Sequence, residues 1–215
     1  MLNDRFYHEI LHEIKNSLTL INGSLQLMIQ KHPEVCDFQY WDETMSEIEF
    51  LTSMVIQVPP LHSFDSPNLA QTDLSVFMQQ TMVSARTLFT GNLKYELSLP
   101  ENLPLIDADT RLLKQAVINI IKNACEAMGE TGIVKIIVSC KDDFVHIAVT
   151  DTGGGLNPAL AECIFDPFIT SKTGGSGLGL VITRQIVDAH HGTLSFDSRP
   201  SDGCTFTISL PLKQN

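Results

Sequence analysis

The sequence predicts an α+β protein in two parts. The N-terminal part is a helical hairpin that forms a four-helix bundle when two chains dimerise, and the second part carries helices on one face of a mostly antiparallel sheet. Three observations predict this fold: apolar residues at helical spacing before residue 58, three prolines within 59–67, and alternating helix and strand patterns after them. We therefore predict a hairpin over residues 1–65 and a second domain over 66–215.

The hairpin is predicted from two apolar stripes. Residues 2–31 place apolar side chains three or four positions apart, and Pro33 ends this helix. A second helix is predicted over residues 41–58 and ends at Pro59. One hairpin cannot cover both stripes, so we expect a homodimer. The stripe of the first helix consists of Ile10, Ile14, Leu18, Ile21, Leu25 and Met28.

The second domain alternates helices and strands. Helices are predicted over residues 73–89, 109–128 and 178–190, the last ended by Gly192. Strands are predicted over 94–99, 133–139, 144–150, 193–197 and 205–210. The strands 133–139 and 144–150 pair around the turn at Asp142-Asp143.

Composition excludes several classes of protein. The 215 residues include 14 Lys and Arg against 25 Asp and Glu, and the resulting net charge of −11 argues against a nucleic-acid partner. No run of about 18 apolar residues is present, so we expect no membrane segment in this chain. Five widely spaced cysteines indicate reduced thiols. We therefore expect a cytoplasmic protein, or the soluble part of a membrane-anchored sensor.

The helix over 109–128 carries a polar stripe made by Gln115, Asn119 and Asn123. Asparagine is a poor helix former because its amide competes for backbone groups. The stripe is either a solvated face or a pair of amide oxygens aimed at a hard cation such as Mg²⁺.

Two glycine-rich segments follow. Asp151-Thr152-Gly153-Gly154-Gly155 comes directly after a strand, which is either an ordinary turn or a place where the backbone passes close to a flat ligand. The second segment, residues 173–180, leads into a helix, where exposed N–H groups favour phosphate. Each segment alone is weak evidence for a nucleotide site, because neither matches a P-loop or a dinucleotide-binding fingerprint.

Taken in order, these segments resemble the GHKL nucleotide-binding superfamily and, within it, the catalytic domain of bacterial sensor histidine kinases. The matching strings are "NIIKNACEAM", "DTGGGL", "IFDPFITSK" and "GGSGLGL", and "DGCTFTISLP" is similar to the closing hairpin. The resemblance implies an α/β sandwich of the GHKL ATPase type that binds ATP and Mg²⁺.

The resemblance also implies roles for single residues. Asp151 would hold the adenine amino group, Asn123 and Asn119 would hold the metal, and Lys172 would reach toward the terminal phosphate. Residues 156–176 would form a mobile lid anchored by Phe165 and Phe168. The other residues implied to bind the nucleotide are Gly153, Gly155, Gly175, Gly177, Leu178, Gly179 and Thr205.

One position separates phosphoryl transfer from hydrolysis. ATP-hydrolysing members of the superfamily carry a glutamate four residues before the metal-binding asparagine, as the base for the attacking water. Here that position is Asn119, which cannot accept a proton. We therefore expect transfer to a protein side chain.

The string "HEILHEIKNSL" in the first helix resembles the phosphoacceptor box of histidine kinases, with His12 as acceptor. Glu13 would orient the imidazole, and Asn16 would position water for dephosphorylation of the partner. Ser17 replaces the usual proline of this box, and further along His191 replaces a frequent glycine. The sequence therefore predicts an autophosphorylating histidine kinase that passes the phosphoryl group to an aspartate of a response regulator.

Two alternatives stay open from the sequence. One is a phosphorelay phosphotransferase with little or no kinase activity. The other is a zinc metalloprotease, because His8, Glu9 and His12 match HExxH. The protease hypothesis leaves the four nucleotide motifs unexplained.

Overall fold

The structure is a computed structural model that describes residues 2–57, 66–89, 91–129, 131–166, 169–170, 177–199 and 202–213. Within these ranges, the side chains of residues 2–12, 49–50, 53–57 and 158–159 are outside the description. Residues 58–65, which contain most of the predicted linker, are likewise outside it.

The N-terminal part is a helical hairpin. Helix α1 (Leu2–Lys31) leads through a 3₁₀ turn (Pro33–Asp37) into helix α2 (Trp41–Gln57), which packs against α1. Both predicted helices are confirmed. Leu18 is buried between them, whereas Ile14, Ile21 and Met28 of the same stripe stay 41–45% exposed in the single chain. The hairpin therefore covers only part of its apolar surface.

The second domain is built on a five-stranded sheet with the order β2-β4-β5-β7-β6. The strands are β2 (Asn92–Ser98), β4 (Thr131–Lys141), β5 (Phe144–Asp151), β6 (Thr193–Ser198) and β7 (Cys204–Pro211). Strands β2 and β4 are parallel, and the other three pairs are antiparallel, as predicted. Asp142 and Asp143 have φ of 51° and 63°, the values that a tight hairpin turn between β4 and β5 requires.

Three longer helices supply the other layer: α3 (Leu74–Leu88), α4 (Thr110–Met128) and α6 (Gly179–Ala189). The first two begin where an aspartate side chain accepts backbone N–H groups, Asp73 for α3 and Asp109 for α4. Alternate residues of β5, namely Val145, Ile147 and Val149, are buried in the shared core. None of the helices in the described part of the chain is both long enough and apolar enough to cross a membrane.

Three short elements were not predicted. Strands β1 (Ala70–Thr72) and β3 (Ile106–Ala108) pair as a separate antiparallel ladder, and helix α5 (Pro158–Ala161) forms a single turn. Three residues are too few to show a period in the sequence. Pairing between β1 and β3 depends on contacts that the folded domain alone provides.

Candidate functional site

Helix α4 lies against two other segments of the second domain. The Asn119 side chain on α4 donates a hydrogen bond from Nδ2 to the Gly179 carbonyl at the start of α6, at 3.3 Å. One end of α4 also packs on the turn after β5, where a Cβ added to Gly153 would lie 3.1 Å from the Ala127 carbonyl. Helix α4 thus contacts both glycine-rich segments.

Asp151 is a buried carboxylate at the end of β5, with 4% of its surface exposed. Its Oδ1 accepts hydrogen bonds from the backbone N–H of Gly153 at 2.8 Å and of Cys204 at 3.3 Å. Two such bonds fix the orientation of the carboxylate and offset part of the cost of burying it. A carboxylate held in this way can accept a hydrogen bond from the amino group of a nucleobase.

The glycines around Asp151 permit close backbone packing. Gly203 and Gly155 have φ of 83° and 73°, which side chains rarely adopt. A Cβ on Gly203 would collide with the Asp151 carbonyl, and one on Gly155 with the Arg199 carbonyl. The backbone of the turn after β5 therefore packs directly against the backbone of the β6–β7 turn. This packing requires glycine at 155, and the implied contact of Gly155 with the nucleotide stays a prediction.

The structure places Cys204 beside Asp151, and the implied contact of Thr205 with the nucleotide stays a prediction. Thr205 pairs with Thr150 across β5 and β7, and their hydroxyl oxygens are 2.9 Å apart. Because side chains alternate along a strand, Thr150 and Thr205 lie on the opposite face from Asp151. Burial, and then the charge of Asp151, raise the pKa of the Cys204 thiol to about 11. Alternate residues of a strand share one face, so counting back two residues at a time from Ile208 leads to Cys204. This signal in the sequence could have identified Cys204.

The two asparagines of the polar stripe lie one turn apart on α4, and both are half-buried. Within the part of the chain that the structure describes, no three His, Cys, Asp or Glu residues gather in a way that could hold a metal ion. Asn119 and Asn123 offer amide oxygens from one side of α4. They suit Mg²⁺, which binds few protein ligands and completes its coordination with phosphate and water. The donor set fits the metal expected from the sequence.

Helix α6 begins directly after the second glycine-rich segment. Its N-cap residue is Leu178, and Gly177 before it has φ of 65°. The N–H groups in the first turn of a helix can bind an anion. The Leu178 side chain is 5% exposed and belongs to the core. Of the other residues expected at the phosphates and in the lid, Lys172, Gly175 and Phe168 lie outside the described residues.

The first part of the predicted lid is attached to the sheet by aromatic contacts. The Phe165 ring meets Phe196 edge-on, with 5.9 Å between ring centroids, and the Arg184 guanidinium lies 5.5 Å from the Phe165 centroid. The backbone N–H of Leu156, where this segment begins, donates to the Ser198 hydroxyl at 2.7 Å. Phe165 therefore anchors the segment, as its resemblance to the family implies.

A buried histidine that the sequence analysis did not single out joins α4 to α6. His190 is fully buried; its Nε2 accepts the Asp109 backbone N–H at 3.0 Å, so Nδ1 carries the proton and donates to the Ile186 carbonyl at 2.7 Å. Burial acts to raise the pKa of the Asp109 carboxyl, but hydrogen bonds from the backbone N–H groups of Leu112 and Asn68, together with the hydrogen bond and charge of Arg111, lower it overall. The end of α6 is thereby fixed to the start of α4.

The expected phosphoacceptor lies in α1. The backbone of His12 is helical, but its side chain, like those of His8 and Glu9, is outside the description. The Glu13 and Asn16 side chains are exposed on α1. The expectation for His12 as acceptor therefore stays a prediction.

Residues 108–214 match the family described as "Histidine kinase-, DNA gyrase B-, and HSP90-like ATPase". Over 205 residues the chain is 31% identical to the signal transduction histidine-protein kinase AtoS of Escherichia coli (strain K12), and over 207 residues it is 35% identical to sporulation kinase A of Bacillus subtilis (strain 168). These alignments cover 94% and 95% of this chain but 34% of each relative. The chain thus spans about a third of these curated relatives.

Solved structures give the same result. The catalytic domain of histidine kinase ThkA is 30% identical with a TM-score of 0.60, and the match covers 67% of this chain and 96% of that one. Full-length ShkA in complex with AMPPNP is 25% identical with a TM-score of 0.68, over 96% of this chain and 45% of that one. The second match extends the similarity to the hairpin as well as the sheet domain.

Proposed function

The chain belongs to the bacterial sensor histidine kinases, and on this premise we propose that it binds Mg-ATP and phosphorylates its own His12. The domain over residues 66–215 would bind the nucleotide, and the hairpin over 1–65 would carry the acceptor. The observation that carries the proposal is the buried Asp151 carboxylate, whose Oδ1 is fixed by two backbone N–H groups. Helix α4, which carries the two half-buried asparagines, contacts the start of α6.

Each part of the site has a chemical task. Asp151 would accept a hydrogen bond from the adenine amino group, which selects adenine over guanine. The N–H groups at the start of α6 would bind phosphate oxygens, and the Asn123 amide oxygen would hold Mg²⁺. When bound, Mg²⁺ supplies positive charge that offsets charge on the phosphates during transfer.

The transfer itself needs few protein groups. One nitrogen of the neutral His12 imidazole attacks the γ-phosphorus of ATP, the bond to the β–γ bridging oxygen breaks, and ADP leaves. The imidazole becomes positively charged, and the adjacent Glu13 carboxylate stabilises that charge. Asn119 lacks the carboxylate that would activate water in its place, which favours transfer over hydrolysis.

We further propose that the hairpin forms a homodimer. Ile14, Ile21 and Met28 lie seven residues apart on one side of α1 and are 41–45% exposed in the single chain. Apolar side chains at this spacing pack between helices of a bundle. A second copy of the hairpin would bury them.

A response-regulator receiver domain is the proposed acceptor of the phosphoryl group from His12. Leu20 and Leu27 are 72% and 57% exposed on a side of α1 away from the dimer stripe, the side on which Asn16 also lies. Two large apolar residues on the acceptor helix suit docking of such a partner. The two alternatives, a relay protein and a zinc protease, receive no support from the relatives named above, which are kinases.

The test is incubation of the purified protein with Mg²⁺ and γ-labelled ATP, comparing wild type with His12→Gln. We expect label on the wild type that is lost in acid, is stable in base and is absent from the variant. Asn123→Asp should also abolish labelling, because it adds negative charge beside the phosphates, and should leave the dimer intact. Binding of ATP without labelling would contradict the kinase proposal, and release of free phosphate would then indicate a hydrolase.

A further inference from the structure

We propose that the Glu126 carboxylate, near the end of α4, accepts a hydrogen bond from a hydroxyl of the ATP ribose. This inference rests on the proposed function, because it adds the sugar to a site that is proposed to hold the base, the metal and the phosphates. It makes Glu126 a residue that selects ribonucleotides over deoxynucleotides.

Helix α4 spans the distance between the two ends of the proposed site. Asn119 contacts the Gly179 carbonyl at the start of α6, where the phosphates are proposed to bind. The Ala127 carbonyl lies close to Gly153, in the turn after Asp151, where the base is proposed to bind. Asn119 and Ala127 are eight positions apart in the sequence, which is about 12 Å along a helix axis. The ribose joins the base to the phosphates, so it would lie beside the turns of α4 between these two positions.

Glu126 lies on the side of α4 that carries Asn119. Seven residues separate the two positions, and at 3.6 residues per turn this brings them to within about 20° of each other around the helix. The Lys122 ammonium lies 3.8 Å from Oε1 of Glu126, whose side chain is partly exposed. The carboxylate therefore lies over the turn of α4 that precedes it, as helical side chains do. This turn is between the base end and the phosphate end of the proposed site.

The thiol of Cys125 relates Glu126 to Asp151. Burial raises the pKa of this thiol, and the charges of Glu126 and Asp151 each act to raise it further. Charges shift a pKa mainly at short distance. Glu126 is therefore close to the end of the site at which Asp151 is proposed to hold the base.

Helix formation does not favour a carboxylate at this position. Glu126 stands in the last turn of α4, which contains no basic residue and where the helix dipole disfavours negative charge. Its pair with Lys122 has the less favourable order, since glutamate stabilises a helix better when it precedes lysine by four residues. A ribose hydroxyl is a donor that suits a carboxylate, and the charge of Lys122 offsets repulsion between Glu126 and the phosphates.

The test compares ATP with its 2′-deoxy and 3′-deoxy forms by calorimetric titration, with Mg²⁺ and again with EDTA. The three nucleotides carry the same base and phosphates, so charge and partial unfolding affect their Kd values alike, and the ratio of two Kd values measures the hydroxyl. For the wild type, we expect at least one deoxy form to bind about fivefold or more weakly than ATP in both conditions, as for loss of a hydrogen bond to a charged group. In Glu126→Ala, this ratio should fall to about one, because the acceptor is gone.

The control is Glu96→Ala on β2. It removes an exposed glutamate from the face of the strand opposite to Tyr95 and Leu97, which pack against the core. Its ratio should equal that of the wild type, and a ratio that falls as in Glu126→Ala would overturn the inference. If Glu126→Ala does not fold, Glu126→Met removes the acceptor, keeps an unbranched side chain and is judged in the same way.

Three further results separate the possible outcomes. A ratio near one in the wild type, or a ratio that Glu126→Ala leaves unchanged, would overturn the inference. A change of the ratio that occurs only with Mg²⁺ would assign Glu126 to the metal and would also overturn it. Failure of the wild type to bind any of the three nucleotides would instead contradict the proposed function.

Discussion

Asp151 is the residue that we propose contacts the adenine base. Its Oδ1 receives the N–H groups of Gly153 and Cys204, so in Asp151→Asn the amide oxygen must occupy the same place. The amide nitrogen would then face the adenine amino group, and two donors would meet. We expect the Kd for ATP to rise about 100-fold, equivalent to about 2.7 kcal/mol.

Inosine triphosphate is the discriminating ligand for this variant. It carries a carbonyl in place of the adenine amino group, so the new amide donor would match it. Calorimetric titration of both nucleotides should show a smaller loss, or a gain, for inosine triphosphate. Equal losses for the two nucleotides would mean that Asp151 does not contact the base edge.

The backbone conformation of His191 is unfavourable for a residue with a side chain. It follows the end of α6 with φ of 56°, the left-handed conformation that glycine adopts most easily at this position. We expect His191→Gly to raise the free energy of unfolding by about 0.5–1 kcal/mol, measured by urea denaturation. His191→Ala keeps the backbone penalty and should stay near wild type. Equal stabilisation by both changes would assign the effect to the side chain and not to φ.

At the scale of elements, the β6–β7 turn determines the shape of the site at the end of β5. A Cβ on Gly203 would collide with the Asp151 carbonyl, and its φ is 83°. Gly203→Ala should therefore lower the free energy of unfolding by about 2 kcal/mol and weaken nucleotide binding, because the strand end that carries Asp151 must move.

Gly154→Ala provides a matched control in the neighbouring turn, since an added Cβ there has no heavy atom within 4 Å. Its free energy of unfolding should stay within about 0.5 kcal/mol of wild type. Thermal unfolding with and without ATP measures both effects. Similar behaviour of the two variants would contradict the close packing between these turns.

At the scale of the whole molecule, the partly covered stripe of α1 predicts the oligomeric state. Ile21→Asp places a charge in the middle of the stripe and should convert the dimer to a monomer, because a carboxylate is costly to bury without a partner. Sedimentation equilibrium measures the mass. Gln30→Asp adds the same charge on the opposite side of α1 and should remain dimeric. A dimeric Ile21→Asp variant would place the interface elsewhere.

Much of this protein can be predicted from its sequence, because the signals involved are local. Apolar spacing along α1, α2 and α4 is set by helical geometry, and alternation along β4 and β5 by strand geometry. The Asn119–Asn123 spacing and the two glycine segments indicated a candidate site because helices and turns impose the same geometry wherever they occur. The family followed from the order of these motifs.

Only the tertiary structure determined how distant parts of the chain meet. Asn119 donates a hydrogen bond to a carbonyl that is 60 residues away along the chain, and Asp151 accepts one from an N–H that is 53 residues away. The backbone N–H of Asp109 donates to a histidine that is 81 residues away. The placement of Cys204 rather than Thr205 beside Asp151 depends on the register of β5 and β7, and the β1–β3 ladder depends on the fold that brings them together. A period along the chain determines which residues share a face, whereas the packing of helices and strands determines what that face meets.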